Sequence, residues 1–138
     1  MATGRLLKSL GCVLALLMAF GLGTAVGQQS PPKENKGLAV EKTVTLDLGG
    51  EIEGLQGRQL RLRVLKLDPG GVIGLHSHKD RPAVAHVLQG TLTEHRDGSG
   101  TKDHHSGEML SAGKDTSHWE ENKGTAAVVL IAADIFKP

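Results

Sequence analysis

The chain is short of aromatic residues and of cysteine. Its 138 residues include no Tyr, one Trp and two Phe, and the single cysteine, Cys12, lies in an apolar N-terminal stretch. Beyond that stretch no disulfide can form, and thiol catalysis and thiolate metal ligation are excluded. A core with so few aromatic residues must come from Val, Leu and Ile, of which the β-branched members suit a pleated sheet.

The N-terminal region has the features of a secretory signal. Arg5 and Lys8 precede an apolar run at 10–22, and small residues flank a cleavage position before Gln28. The run is short and glycine-rich for a membrane span. We therefore expect a signal peptide at 1–27 and export to the periplasm or beyond the cell. An uncleaved N-terminal anchor is the alternative.

The rest of the chain predicts a polar leader and one domain. Residues 28–39 are polar, contain Pro31-Pro32, and predict a flexible leader, and residues 40–138 suffice for a single domain. Removal of residues 1–27 takes away two basic and no acidic residues, so the formal charge changes from +1 to −1. This balance argues against nucleic acid as a partner and against stable membrane association after cleavage.

Short alternating or apolar segments separated by Gly-rich turns fill the domain, and no stretch has a convincing helical period. This pattern predicts an all-β sandwich or barrel. Between 59 and 67, Leu60, Leu62 and Val64 face one way and Arg61 and Arg63 the other, which is typical of a half-buried strand with its leucines inward. The phase shifts at Val64-Leu65, where Leu65 and Leu67 take over, and a β-bulge or burial on both faces would explain this. The expected strands lie at 40–48, 59–67, 72–78, 83–89, 91–95, 108–110, 118–122 and 126–135.

Two stretches between these strands predict irregular structure. The sequence Asp-Pro-Gly-Gly at 68–71 has the residues of a turn, because Pro presets φ and Gly accepts positive φ. Residues 96–107 contain three Gly and several charged residues, and so predict an exposed loop that carries His104 and His105.

His76 and His78 are the first candidate ligands. They lie two residues apart, so on a strand both imidazoles project from one face. That is half of a metal site if a third ligand comes from another strand. His118, forty residues later, is the candidate for that ligand.

Two motifs resemble those of the cupin superfamily. Residues 70–90 read G-(x5)-H-x-H-(x4)-A-(x6)-G, and residues 107–122 read G-(x5)-G-x-D-(x2)-H-(x3)-N. The cupin motifs are G-(x5)-H-x-H-(x3 or 4)-E-(x6)-G and G-(x5)-P-x-G-(x2)-H-(x3)-N, with the same spacings and order. Within the superfamily the chain is most similar to small single-domain, quercetin-dioxygenase-like cupins. The anchoring residues are Gly70, His76, His78, Ala83 and Gly90 in the first motif, and Gly107, Gly113, Asp115, His118 and Asn122 in the second.

The resemblance implies a jelly-roll β-barrel whose mouth holds a divalent transition metal. Its ligands would be His76, His78 and His118, and imidazole donors suit Fe, Zn or Cu, with Mn also open. Ala83 stands where the family usually has a metal-binding Glu, which removes the anionic ligand. The two departures in the second motif, Gly113 and Asp115, concern a turn. Gly70, Gly90, Gly107 and Asn122 are expected to form turns and not to take part in chemistry.

Glu120 and Arg81 are the candidate catalytic residues. Glu120 lies two residues after His118, so it shares the inward face and either ligates the metal or acts as an acid or base beside it. Arg81 lies beside the predicted mouth and can bind a carboxylate or enolate, or pair with a local acid. Strand parity does not settle whether Glu94 points inward.

Other polar and aromatic residues near the motifs predict no ligation. His86 falls on the opposite face from Ala83, and His95, His104 and His105 fit a solvated region better than a metal site. Trp119 has the opposite parity to His118 and is expected outside the pocket or in a dimer contact.

Three functions follow from the same pocket. The first is an exported metal-dependent enzyme, dioxygenase- or isomerase-like, that acts on a small anionic or enolic substrate. The alternative is a non-catalytic metal-binding or small-ligand-binding module, such as a sensor. In the third, the metal stabilises a small core. A half-covered apolar sheet also predicts a homodimer, as is common in the family.

Overall fold

The computed structural model describes residues 30–138. In that range the regular secondary structure consists of β-strands. The eight strands are β1 (Lys36–Asp47), β2 (Gln59–Ser77), β3 (Ala83–Gln89), β4 (Thr91–Arg96), β5 (Gly100–His105), β6 (Met109–Ala112), β7 (Ser117–Glu121) and β8 (Val128–Phe136). The prediction of an all-β fold is confirmed. The predicted signal at 1–27 lies outside the described residues.

The strands form one antiparallel sheet that curls into a nearly closed barrel. Its order is β5-β4-β7-β2-β8-β3-β6, and β1 pairs with β2. Two backbone hydrogen bonds connect the turn after β5 to β3. The N–H of Val87 donates to the carbonyl of Glu108, and the N–H of Gly107 donates to the carbonyl of Val87. This curvature gives the sheet an inner face, and the functional candidates lie on it.

Strand β2 is a single long strand, whereas the sequence predicted two strands separated by a turn at 68–71. Gly70 takes a positive φ of 69°, which bends the backbone without ending the strand. The bend is held by Asn122, whose carbonyl accepts a bond from Gly70 (2.9 Å) and whose N–H donates to Gly71 (3.0 Å). The strand therefore continues and exchanges β8 for β7 as its partner.

The polarity of the first half of β2 is the reverse of what its apolar pattern predicts. Leu60 and Leu62 are 40% and 42% exposed, whereas Arg61 and Arg63 face the barrel interior together with the buried Leu65. Arg61 pairs across the ladder with Asp134 of β8, which supplies an interior counter-charge. The expectation that the leucines form the buried face was therefore wrong.

The region at 96–107 is a β-hairpin and not a long exposed loop. Its second strand, β5, pairs along its whole length with β4, from Thr91 opposite His105 to Arg96 opposite Gly100. Leu92 of β4 is buried and lies opposite His104, which is consequently 3% exposed. The prediction of a solvated His104 was wrong, and that of an exposed His105 agrees with the structure.

The apolar core occupies one end of the barrel interior. It consists of buried aliphatic side chains contributed by four strands: Leu65, Leu67, Val87, Leu92, Val128, Leu130 and Ala132. Asn122 closes this end, because its side chain donates to the carbonyls of Leu67 (3.0 Å) and Ala126 (2.8 Å). Asn122 is thus structural, as its place in the second motif predicted.

A segment before β1 lies against the other end of the barrel. Leu75 donates to the carbonyl of Pro32 (2.7 Å), and Gly74 donates to the side chain of Asn35 (2.9 Å). A Cβ on Gly74 would come within 2.5 Å of the carbonyl oxygen of Lys33, so only glycine allows this approach. Strand β1 begins at Lys36, within the stretch assigned to the leader. Within residues 30–138 we find no helix with the length and apolar character needed to cross a membrane.

Candidate metal centre

Three imidazoles meet at the polar end of the barrel. His76 lies in β2 directly opposite His118 of β7, and His78 follows one residue after the end of β2. A bulge between Ile73 and His76 adjusts the register so that the two strands present these side chains together. Their Nε2 atoms are 2.9 Å apart for His78 and His118, and 3.1 Å apart for the other two pairs. The structure thus brings together all three predicted ligands.

The other ring nitrogen of each imidazole faces an oxygen atom. Nδ1 of His76 donates to the carbonyl of Gly74 (2.8 Å), and Nδ1 of His78 donates to the carbonyl of Arg81 (2.9 Å). Nδ1 of His118 donates to a carboxylate oxygen of Glu94 (2.5 Å). Because these oxygens only accept, each Nδ1 carries the proton and each Nε2 is left with a lone pair.

This arrangement fits a metal ion. Three Nε2 lone pairs face one another at 2.9–3.1 Å with no proton between them, and such a group is repulsive unless it shares a cation. One ion with metal–nitrogen bonds of about 2.0–2.1 Å could reach three nitrogens that lie this close together. The cluster can therefore hold a metal ion.

Burial favours the neutral, metal-binding form of His76 and His78. The pKa of His76 is lowered to about 4, chiefly because burial disfavours the imidazolium, and the neighbouring rings act in the same direction. The pKa of His78 is lowered for the same main reason. The hydrogen bonds to the Gly74 and Arg81 carbonyls oppose these shifts without reversing them.

Glu94 holds His118 in place and was not assigned a position by the sequence. Besides His118, its carboxylate accepts bonds from His104 (2.9 Å) and from Arg96 (2.8 Å). Burial tends to raise the pKa of Glu94, but these three donors outweigh it and hold the pKa well below its usual range. Glu94 is therefore an anion that fixes the orientation of a candidate ligand. Glu94 shares a strand face with Leu92, but the sequence alone does not show which face turns inward at this position.

Glu120 points inward beside the three imidazoles. One carboxylate oxygen lies 3.4 Å from Nε2 of His118, and the other is buried without a hydrogen-bond partner. Burial raises its pKa to about 7, although the positive groups around it act against this shift. The three-imidazole cluster is complete without Glu120, whose carboxylate borders the cluster and lines the same cavity. Its role as ligand or acid–base group stays a prediction.

Arg81 also faces the cavity, together with Arg63, which the sequence placed on the outer face. Both approach Asp134 of β8: Arg63 at 3.4 Å and Arg81 at 4.0 Å. Asp134 is 2% exposed, and its pKa is lowered because its arginine partners outweigh the effect of burial. Arg81 therefore does approach an acid, but this acid, Asp134, lies on β8 and is not local in the sequence.

These groups surround a cavity of about 280 Å³. Its lining includes polar groups, namely the three imidazoles, Glu120, Arg63 and Arg81, and a set of aliphatic side chains. Ala83 lines the wall where the family usually has a glutamate, and the segment before β1 contributes Lys33 at the mouth. The aliphatic side chains are those of Leu38, Leu65, Ile73, Leu92, Leu110 and Leu130.

The remaining ring side chains lie away from this cavity. Trp119 stacks on His95 with their ring centres 3.7 Å apart, and neither residue lines the cavity. His95 in turn contacts Glu121 at 2.7 Å. His86 is half-buried on the outer side of β3. Trp119 thus lies outside the pocket, as its parity predicted.

Comparisons with known proteins agree with the fold. The profile of the cupin domain family matches residues 63–134, slightly more than half of the chain. No curated protein sequence matches the chain.

Two solved structures with similar folds have low sequence identity to this chain. A predicted oxalate decarboxylase from Thermotoga maritima is 20% identical, with a TM-score of 0.51 over 71% of this chain and 98% of that one. An oxalate oxidase in complex with glycolate is 18% identical, with a TM-score of 0.55 over 83% and 59% of the two chains.

A third structure is described by its fold. A conserved protein with a double-stranded β-helix domain from Klebsiella pneumoniae is 18% identical, with a TM-score of 0.53 over 56% of this chain and 68% of that one. At these identities the structures bear on the fold alone. The family profile, the barrel and the two motifs lead to one conclusion: this chain belongs to the cupin family.

Proposed function

We propose that the protein is an exported, metal-dependent enzyme whose divalent transition metal is held by His76, His78 and His118. The observation that carries the proposal is the set of three Nε2 lone pairs that face one another at 2.9–3.1 Å. Each ring is fixed in this orientation by an oxygen that accepts the proton of Nδ1. Such fixed imidazoles are the usual form of metal-binding histidines.

The donor set favours Fe, Zn, Cu or Mn. Imidazole suits Fe, Zn and Cu, with Mn also open, whereas Mg and Ca prefer oxygen ligands. Three neutral ligands leave the full charge of the ion in place, and when bound the ion supplies Lewis acidity and open positions for a substrate oxygen. This chemistry fits a dioxygenase- or isomerase-like reaction on a small anionic or enolic substrate.

Glu120 and Arg81 have separate roles in this proposal. Glu120 accepts or donates a proton at the substrate, since its carboxylate lies 3.4 Å from a ligand nitrogen and one of its oxygens has no partner. Arg81 orients the substrate through its guanidinium at the cavity wall. A buried proton-transfer group beside the metal distinguishes an enzyme from a module that only binds.

Two further parts of the proposal concern the protein's location and assembly. The composition of residues 1–27 supports export, and the mature N-terminus would be Gln28. Val84, Met109 and Leu62 are exposed on the outer face of neighbouring strands, which supports a homodimer formed by a second copy on this face. N-terminal sequencing of protein from the periplasm or medium tests the first point. Gel filtration of a Val84→Lys variant tests the second.

Metal analysis tests the site itself. The protein is purified from its own compartment as wild type, His78→Ala and His105→Ala, and metal is measured per chain. His105 is exposed and outside the cluster, so it is the matched control. We expect about one ion per chain in wild type and in His105→Ala, and less than about a tenth of that in His78→Ala. Equal metal content in folded His78→Ala and wild type would refute the site.

A further inference from the structure

The arginines inside the barrel carry more positive charge than their acid can balance. Arg61 binds both oxygens of Asp134, with Nε at 3.0 Å and Nη2 at 2.7 Å. Arg63 and Arg81 approach only Oδ2, at 3.4 and 4.0 Å, and that oxygen also accepts the shorter bond from Arg61. Asp134 is the one carboxylate that pairs with these arginines in residues 30–138, so the three arginines and Asp134 together have a formal excess of two positive charges.

Arg63 has a buried donor without a partner. Its Nε is enclosed by the protein and makes no hydrogen bond, although a buried N–H normally finds an acceptor. Burial lowers the pKa of Arg63, even though Asp134 acts in the opposite direction. Both Arg63 and Arg81 line the cavity that contains the three imidazoles, whereas Arg61 lies over the ring of Phe136 and does not line it.

We propose that Arg63 and Arg81 form an anion-binding subsite that receives the carboxylate of a small organic acid. The subsite lies in the same cavity as the imidazole cluster, so the ligand's other end reaches that cluster. Only this second part rests on the proposed metal function. A carboxylate suits two guanidinium groups because each can donate parallel N–H bonds to its oxygens.

The cavity limits the size and shape of the ligand. Its volume of about 280 Å³ equals that of roughly nine water molecules, at about 30 Å³ each in the liquid. A ligand of on the order of ten non-hydrogen atoms therefore fits within it. The aliphatic side chains that line the same cavity favour a short hydrocarbon segment between the two polar ends.

Matched small molecules test the subsite. Butanoate and butanamide have nearly the same shape and differ in charge, and their binding is followed by NMR through the Nε–H signal of Arg63. We expect butanoate to shift this signal and to bind at least tenfold more tightly than butanamide. We expect Arg63→Gln and Arg81→Gln to weaken butanoate binding at least tenfold, as followed by the ligand's own signals.

Lys102→Gln is the control, because it removes one positive charge at an exposed residue that does not line the cavity. Its affinity for butanoate should stay within about threefold of wild type. Equal binding of butanoate and butanamide would overturn the subsite, as would full affinity in Arg63→Gln or an equal loss in Lys102→Gln. Tighter binding of inorganic phosphate than of butanoate would overturn the carboxylate assignment. Should Arg63→Gln not fold, Arg63→Lys replaces it and must also lose affinity.

A second ligand separates this proposal from that of the metal. 4-Hydroxybutanoate adds an oxygen donor at the end opposite the carboxylate. In the metal-loaded protein we expect 4-hydroxybutanoate to bind more tightly than butanoate. In His118→Ala we expect the two ligands to bind with equal affinity. If the hydroxyl gives no advantage but butanoate is still preferred over butanamide, the metal proposal fails and the anion subsite stands.

Discussion

The two ends of the barrel interior are stabilised by different interactions. At one end, Leu67, Val87 and Val128 are completely buried and pack against other aliphatic side chains. At the other end, the same inner face carries imidazoles, arginines and three carboxylates: Asp134, and Glu94 and Glu120, which lie opposite each other on neighbouring strands. One long strand, β2, runs through both ends.

The difference shows where a cavity lined by polar groups replaces close packing in this fold. The aliphatic end fills its space, whereas the polar end encloses a cavity and leaves Arg63 Nε and a Glu120 oxygen without partners. Buried polar atoms without partners are costly, so they occur mainly where a ligand can satisfy them. The aliphatic end should therefore determine stability, and the polar end should determine what the protein binds.

Leu67→Ala should break the aliphatic end and has the largest expected effect. Leu67 is fully buried and lies between two paired strands that cannot collapse onto a void. We expect the free energy of unfolding to fall by about 4 kcal/mol. Urea denaturation measures this loss, with the exposed Leu88→Ala as control at under about 1 kcal/mol. A small loss of unfolding free energy in Leu67→Ala would show that the aliphatic end does not determine stability.

Asp134→Asn removes one charge at the polar end and should lower the free energy of unfolding nearly as much. It leaves three arginines without an anion, and we expect a loss of about 3 kcal/mol at pH 7. Arg61, Arg63 and Arg81 are partly exposed, which keeps this figure at the low end. The control is Asp115→Asn, because Asp115 pairs with Lys114 at the surface.

The stability difference between wild type and Asp134→Asn should depend on pH. The pKa of Asp134 is lowered in the folded protein, so the carboxylate stabilises the fold fully above its ordinary pKa of about 3.9. As pH falls below that value towards the folded pKa, this contribution is lost. Wild type and Asp134→Asn should thus differ most above about pH 4 and converge at lower pH. A difference that does not change with pH would mean that the charge of Asp134 is not responsible.

Substitution of Glu94 should sharpen the comparison by affecting binding more than packing. Glu94→Gln removes the anion that orients His118, and we expect metal affinity to fall by about 10–100-fold. Competition with a chelator measures this affinity. The control is Glu121→Gln, since Glu121 contacts His95 outside the cavity. Equal affinities in the two variants would show that Glu94 does not support the cluster.

Most of the fold could be predicted from the sequence, because apolar periodicity and glycine positions mark strands and turns. The prediction failed where polar residues have interior positions. Arg61 and Arg63 were assigned to the outer face because apolar periodicity places the leucines inside. Periodicity does not reveal a distant partner such as Asp134, which is more than seventy residues away in the sequence. Strand β5 was missed because its inward residue is His104 and its Gly and charged residues are those of a loop.

The three histidines could be found because their motifs have fixed spacing. Their supporting groups could not, since Glu94, Arg63 and Asp134 are defined by contacts between strands that are distant in sequence. Glu120 was found by parity alone, because residues two apart on a strand share a face. The sequence therefore identified the candidate ligands but not the charges that orient them or face the cavity.

The tautomers of His76, His78 and His118 test the account most directly. NMR of ¹⁵N-labelled rings reports which nitrogen carries the proton, and Zn²⁺ is a suitable diamagnetic probe. We expect the proton on Nδ1 in all three rings, and a shift of all three Nε2 signals that is complete at one equivalent of Zn²⁺. A proton on any of these Nε2 atoms, or a shift of the His95 and His105 signals instead, would contradict the proposed centre.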